Sequence, residues 1–409
     1  MLRKITIDQL KVGMYVESVD KSWLDVPFFR RKITSEEQIE KLRKYYINEV
    51  NIDTDRGVDL ARDQSETVVA VMEEPLPRDS GESETDQADR AKIVPAKYEE
   101  EIPVAKQAYT QAITSVSEFL REARAGRMTS EQEMKDVVSG LVDSCMRNDD
   151  ALISLTKLLS HDEYTFGHSV NVTIFTLALA KALGLEHSQL QELGESTLVH
   201  DVGKMLIPTE LLNKPGKLTP EEFEVVKQHA DLGAKFLREN FPAHESLALV
   251  AQDHHERLDG SGYPFGKSGD EISQWGQIAM IADVYDALTS DRCYKAGVPP
   301  AQAVALIYRL SEEFNPLYVE RFIECVGIYP IGSLVRLNNG DVGLVSRTHH
   351  DDLLRPDVSV IYQGGRRLKR PRLVSLNETD EAGDHRLKIV DILQPDAFGV
   401  DPARQLLGA

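Results

Sequence analysis

The spacing of apolar residues changes character three times along the chain, and the changes divide it. Over residues 1–72, short alternating stretches such as 5–19 flank one 3.6-residue pattern at 35–46, where Ser35 and Gln38 stand in capping-box positions. This predicts a small α+β module. Residues 73–102 turn polar and acidic around Pro75, Pro77, Ser80, Gly81 and Ser83, with too little apolar surface to bury, and predict a flexible linker. Helical periodicity then holds over 103–327. Ala105, Ala108, Ala112, Ile113, Val116, Phe119 and Leu120 form one stripe, and Met134, Val137, Val138, Leu141, Val142 and Cys145 the next. Further helices are expected near 168–183, 188–203, 219–239, 244–256, 274–290, 299–313 and 316–326. Beyond 328 the period falls to two. The stretches 334–337 and 342–345 flank Asn339 and Gly340, which readily adopt the positive φ of tight hairpin turns, and 358–362 and 387–392 add strand candidates. A β-rich module over 328–395 and a disordered tail over 396–409 complete the expected multidomain layout around an all-α helical bundle.

The bundle carries the candidate chemistry. His168, His200, His229, His254 and His255 each fall on or beside a different expected helix, the last adjacent pair excepted, and Asp201 and Asp283 accompany them. Successive gaps of 32, 29, 25 and 28 residues, from His168 to His200, His229 and His254 and then from His255 to Asp283, are each about one helix and its return. Facing helices of a bundle can bring such residues to one level and build a metal site there. One histidine in a helical pattern is usually a structural or surface group, so the argument rests on the set. Imidazole and carboxylate without thiolate suit divalent iron, manganese or zinc. Asp201, with two oxygens, can bridge a pair of ions, and two ions about 3.5–4 Å apart suit phosphoester hydrolysis.

Composition narrows the setting. The chain has 409 residues, 41% hydrophobic and 28% charged, enough for a sizeable core. No apolar run reaches the roughly 18 residues of a membrane span, and Lys4, Asp8 and Lys11 interrupt any leader, so a cytoplasmic location is expected. Cys145, Cys293 and Cys325 are too few for a disulfide framework or a Cys-rich zinc site. A formal charge of -20 argues against broad nucleic-acid binding, while a small anionic substrate needs only a local convergence of cations.

The motifs occur in a recognisable order: Tyr164, Thr165, His168 and Ser169; His200, Asp201, Gly203 and Lys204; Lys214, Pro215, Gly216, Leu218 and Thr219; His229; His254, His255, Glu256, Arg257, Asp259, Gly260, Gly262, Tyr263 and Pro264; then Asp283 to Thr289 reading DVYDALT. Over about residues 150–326 the chain resembles the HD-GYP family of bacterial cyclic di-GMP phosphodiesterases. Near the N-terminus, Leu10 to Val16, Trp23 and Pro27 to Phe29 resemble an uncharacterised module often placed ahead of that domain. The resemblance implies an HD-type helical core that hydrolyses cyclic di-GMP with a metal-bridging hydroxide, to linear pGpG or further to GMP. It implies that His168, His200, Asp201, His229, His254, His255 and Asp283 are the metal ligands, with Asp201 bridging. It also places Lys204, Arg292 and Lys295 at the scissile phosphate, Asp162 as a proton shuttle, and Gly262, Tyr263 and Pro264 in a loop facing substrate or a protein partner. Tyr164 stands where some members carry a carboxylate for a third ion, so two divalent ions are expected, iron or manganese ahead of zinc. Cys293 replaces a usual Pro with no catalytic consequence expected. Protein partners at the GYP loop and N-terminal module, and a homodimer, are further expectations. The competing readings are a vestigial cyclic di-GMP-binding scaffold, which the complete ligand set disfavours, and an HD-type hydrolase of another nucleotide.

Overall fold

The helical region is organised around a rod that is apolar on all sides. The computed structural model of the chain describes residues 2–19, 33, 35–44, 47, 49–54, 57–58, 93–126, 131–159, 164–214, 216–290, 297–310, 312–349, 352–379, 385–394 and 398–407. They fall into two compact units, Met1–Ser83 and Glu84–Ala409. In the first, β1 (Leu2–Thr6), β2 (Val16–Val19) and β3 (Glu49–Asp53) form an antiparallel sheet in the order β1-β3-β2, with α1 (Glu36–Lys44) following β2 in sequence. Ile5, Met14, Val16, Ile39, Leu42, Val50 and Ile52 close its core.

The second unit holds α2 (Tyr98–Arg124), α3 (Glu131–Leu158), α4 (Tyr164–Ala182), α5 (His187–Leu198), α6 (Thr209–Leu212), α7 (Pro220–Asn240), α8 (Glu245–Asp253), α9 (Gln274–Thr289), α10 (Pro300–Arg309) and α11 (Pro316–Val326). Val170, Val172, Ile174, Phe175, Leu177 and Leu179 of α4 are all buried. A helix hydrophobic all round must be enclosed, and α2, α3, α5, α9 and α11 surround this one. The rings of Phe175 on α4, Tyr285 on α9 and Phe322 on α11 meet edge to face at centroid separations of 4.9, 6.1 and 5.1 Å. That aromatic knot fixes α4 against α9, the two helices that carry His168 and Asp283. Asn148 breaks α3 with φ -166° and ψ 100°. Its amide donates to the Ala96 carbonyl at 3.0 Å and its oxygen accepts from the Ala151 amide at 3.2 Å, recapping the helix after the bend.

A five-stranded antiparallel sheet follows, formed by β4 (Leu334–Leu337), β5 (Val342–Arg347), β6 (Asp357–Gln363), β7 (Arg366–Ser375) and β8 (Ile389–Leu393) in the order β7-β6-β5-β4-β8. The expected hairpin is present, with Gly340 at φ 84°.

Several sequence expectations are corrected. The helical region begins at Tyr98, inside the segment expected to be linker, because Glu99, Glu100 and Glu101 sit at a helix N-terminus, where the macrodipole favours them. Glu101 is buried and accepts from Ser144 and Arg147 at 2.7–2.9 Å. The expected helix 188–203 stops at Leu198 and resumes as a short 3-10 turn, Val202–Leu206, with His200 and Asp201 in the break. Strand β7 was not expected, since its run of Arg and Lys hides the alternation that reveals strands. The tail expected to be disordered carries α12 (Pro402–Leu407), and Val400, Phe398 and Leu406 pack against the sheet. The linker residues 73–92 lie outside the described residues.

Candidate metal centre

Each candidate ligand sits at a helix end or on the inner face of a helix. His168 lies on α4, His229 on α7 and Asp283 on α9, while His254 and His255 follow the last turn of α8. Glycine makes the convergence geometrically feasible. A Cβ on Gly203 would stand 1.9 Å from the His229 carbonyl oxygen and 2.6 Å from the Gly233 amide. Only glycine lets the turn after Asp201 lie directly on α7.

Asp201 is the centre of the arrangement. Its Oδ2 lies 3.5 Å from His168 Nε2 and 3.4 Å from His200 Nε2, and its Oδ1 lies 3.4 Å from His229 Nε2 and 3.7 Å from His254 Nε2. Asp283 likewise presents one oxygen 3.1 Å from His168 Nε2 and the other 3.6 Å from His255 Nδ1. Two groups result, each within 4.8 Å: His168, His200 and Asp283 in one, and Asp201, His229, His254 and His255 in the other. All seven expected ligands converge.

The rings are aimed. His200 Nδ1 donates to the Thr197 carbonyl and His229 Nδ1 to the Val226 carbonyl, both at 2.7 Å, and His254 Nδ1 donates to Ala251 at 3.0 Å. His168 Nδ1 donates to Asp286 Oδ2 at 2.8 Å. Each bond fixes the tautomer and leaves Nε2 facing inward with its lone pair, the arrangement that orients metal-bound imidazoles. His200 Nε2 and Asp201 Oδ1 are buried without a hydrogen-bond partner. Buried polar atoms are costly unless satisfied, and a cation in each histidine group would satisfy these two, so the residues fit divalent ions.

The electrostatics of three rings favour the ligating form. Burial depresses the His229 imidazole to about 3, and burial also lowers His200 and holds His255 well below the ordinary histidine value. Neutral rings are the ligating form. Burial opposes the charge on Asp201, yet Lys204 and His200 hold its carboxyl well below the usual range, and His168 and His255 do the same for buried Asp283. Burial also works against a charged His168, but contact with Asp283 and Asp286 outweighs it and lifts that ring to about 9.

Around the ligands, Lys204 donates from its ammonium to Asp201 Oδ2, with a quarter of its side chain exposed. The loop of Gly262, Tyr263 and Pro264 borders the cluster. The Tyr263 ring lies 4.6 Å from that of His255 at a 31° tilt. A Cβ on Gly262 would stand 2.4 Å from the Arg257 amide and Glu256 Cα, so the loop folds tightly onto its own stem. Asp162, Arg292 and Lys295 lie outside the described residues.

Sequence reasoning passed over several residues. Asp286 accepts from His168, from Asn171 Nδ2 at 3.0 Å and from Ser290 at 3.1 Å, and Tyr109 donates to Asn171 at 2.9 Å. Glu256 accepts from the amides of Phe265 and Lys267, and Asp253 from Lys267 Nζ and the Ser273 amide, which staples the GYP loop. Asp286 and Glu256 stand inside motifs, but position in a motif does not say whether a carboxylate faces ions or their ligands.

Residues 154–316 match the HD domain family, and residues 2–133 match the family called Domain of unknown function (DUF3391), a match that runs through α2 into the start of α3. The chain is 38% identical over 379 residues to a cyclic di-GMP phosphodiesterase of Pseudomonas aeruginosa, spanning 91% of this chain and 88% of that one. It is 38% identical over 177 residues to a cyclic di-GMP phosphodiesterase of Thermotoga maritima, spanning 42% of this chain and 48% of the other. It is 40% identical over 144 residues to 3'3'-cGAMP-specific phosphodiesterase 3 of Vibrio cholerae, spanning 35% and 31%.

Proposed function

The chain belongs to the HD-GYP family of HD-domain proteins, and on that premise we propose that it is a metal-dependent phosphodiesterase that opens cyclic di-GMP to linear pGpG. One observation carries the reading: the two oxygens of Asp201 face different histidine groups, Oδ2 toward His168 and His200 and Oδ1 toward His229 and His254. His168, His200 and Asp283 would hold one divalent ion, and His229, His254 and His255 a second, with Asp201 giving one oxygen to each. Two such ions supply a water of lowered pKa and a positive field for the phosphodiester. Lys204, partly exposed beside Asp201, would turn its ammonium toward the phosphate and offset charge as it develops. The resemblance assigns Arg292 and Lys295 to the same phosphate and Asp162 to a proton. The wall formed by Gly262, Tyr263 and Pro264 then orients the rest of the substrate.

Replacing Asp201 tests the reading. Asp201→Ala is expected to lose cyclic di-GMP hydrolysis and most bound metal while keeping its helical circular dichroism. Turnover retained in that variant refutes the assignment. Chromatographic product analysis of the wild type distinguishes pGpG from GMP as the end point, and elemental analysis distinguishes iron from manganese. A second reading, hydrolysis of another cyclic dinucleotide, draws on the likeness to the 3'3'-cGAMP-specific enzyme. A side-by-side panel of cyclic di-GMP, 3'3'-cGAMP and cyclic di-AMP decides it.

A further inference from the structure

We propose that Phe223 and Lys227 on α7, with Tyr263 of the GYP loop, form a stacking corner that holds one purine base of the substrate. The proposal rests on the cyclic dinucleotide reading above and adds Phe223 and Lys227, which no motif of the metal centre includes.

A chain of rings leads outward from the buried ligands. Tyr263 lies over His255, and Phe223 meets Tyr263 at 6.1 Å and 79°, nearly perpendicular. Tyr263 spends one face on His255, while Phe223 is 44% exposed. One exposed Phe on a protein surface means little by itself. Here it stands at i and i+4 with Lys227, whose ammonium lies 5.3 Å from the Phe223 centroid and 5.7 Å from that of Tyr263. Lys227 is held there by Glu224 at 2.5 Å, and three quarters of its side chain is covered. The loop that carries Tyr263 is held as well, because Glu256 ties the amides of Phe265 and Lys267 and Asp253 ties Lys267 and Ser273. An exposed aromatic ring, a second ring nearly perpendicular to it and one held cation therefore stand together beside the candidate metal ligands.

A cyclic dinucleotide projects its bases away from its phosphates, so a substrate with a phosphate at the ions must set a base on the cluster's border. Aromatic faces stack on any base. A lysine ammonium selects further, since guanine offers adjacent O6 and N7 acceptors whereas adenine sets an N6 donor beside N7. The corner thus takes a purine and prefers guanine.

The test uses the full-length metal-loaded protein and steady-state kinetics. Phe223→Leu keeps apolar volume and removes the π face, and is expected to raise KM for cyclic di-GMP by about tenfold, the weight of one stacked base, with kcat within about twofold. Phe223→Tyr is expected to restore the wild-type KM. Lys227→Met is expected to narrow the preference for cyclic di-GMP over cyclic di-AMP. An unchanged KM in Phe223→Leu overturns the proposal. So does a fall in kcat at constant KM, or failure of Phe223→Tyr to restore, since either would mean that Phe223 only props the loop. If the wild type turns over no cyclic dinucleotide, the assigned reaction fails, and the corner is judged by calorimetric binding of cyclic di-GMP: tighter binding to wild type than to Phe223→Leu supports it, and equal or absent binding overturns it.

Discussion

At the scale of single residues, the leverage outside the ligand set lies with Asp286. It is fully buried and joins His168, Asn171 and Ser290, so that Tyr109 on α2 is connected through two hydrogen bonds to the carboxylate that aims a ligand. Partners of this kind are worth about 10–100-fold in metal affinity. On the proposed two-ion arrangement, Asp286→Ala should weaken the ion at His168, His200 and Asp283 by that factor and spare the one at His229, His254 and His255, which a metal titration after chelator dialysis would resolve as two unequal affinities. Equal weakening of both sites would contradict the division into two groups. The seven candidate ligands that the structure brings together were legible in their residue types, spacing and motif order. The aim of each ring was not, because it depends on backbone carbonyls such as Thr197 and Val226, which carry no sequence signal. The cysteines give a second residue-scale test. Burial pushes the Cys145 thiol up to about 12 and raises Cys325 well above its ordinary value. At pH 8 both therefore stay protonated in the native protein, and a thiol reagent followed by mass spectrometry should label them only after denaturation.

At the scale of elements, the decisive contact is between the 3-10 turn Val202–Leu206 and α7. The pairing of Gly203 with Gly233 brings the backbone carrying Asp201 against the backbone carrying His229. Gly203→Ala places a methyl where no room exists, and the cheapest relief is to push the turn off the helix. Expected consequences are loss of bound metal and of hydrolysis, with far-ultraviolet circular dichroism nearly unchanged; full activity in Gly203→Ala would show that the turn tolerates displacement. Periodicity located most helices because their apolar stripes are long. It extended the helix at 188–203 through His200 and Asp201 because Val199 and Val202 continue the stripe while the backbone leaves it. Periodicity also missed β7, whose Arg366, Arg367, Lys369, Arg370 and Arg372 belong to an edge strand that charge protects from further pairing. The start of α2 was hidden for a related reason: Glu101 reads as a linker residue until its partner Arg147, 46 positions away, is known.

At the scale of the whole molecule, the helical region and the C-terminal sheet belong to one compact unit, and the first 83 residues to another. Polar contacts tie the sheet to the helices, and the segment that joins the two is buried. Ile328, Tyr329 and Ile331 are buried, Thr348 donates to Asp150 at 3.1 Å, and Arg347 meets Glu99 at 2.9 Å. The exposed Arg347 pair contributes little, so the coupling rests on the apolar residues, each worth about 1.5–3 kcal/mol when buried. Removing residues 328–409 should therefore destabilise the helical bundle by more than about 5 kcal/mol, lowering its melting temperature by at least about 10 °C. Removing residues 1–83 should leave that transition within about 3 °C, because a separate core is lost instead. Differential scanning calorimetry of the full chain and both truncations distinguishes the cases. An unchanged main transition after loss of 328–409 would mean that the sheet is an independent module, and that contacts within the helices, the aromatic knot of Phe175, Tyr285 and Phe322 among them, hold the candidate metal centre without it.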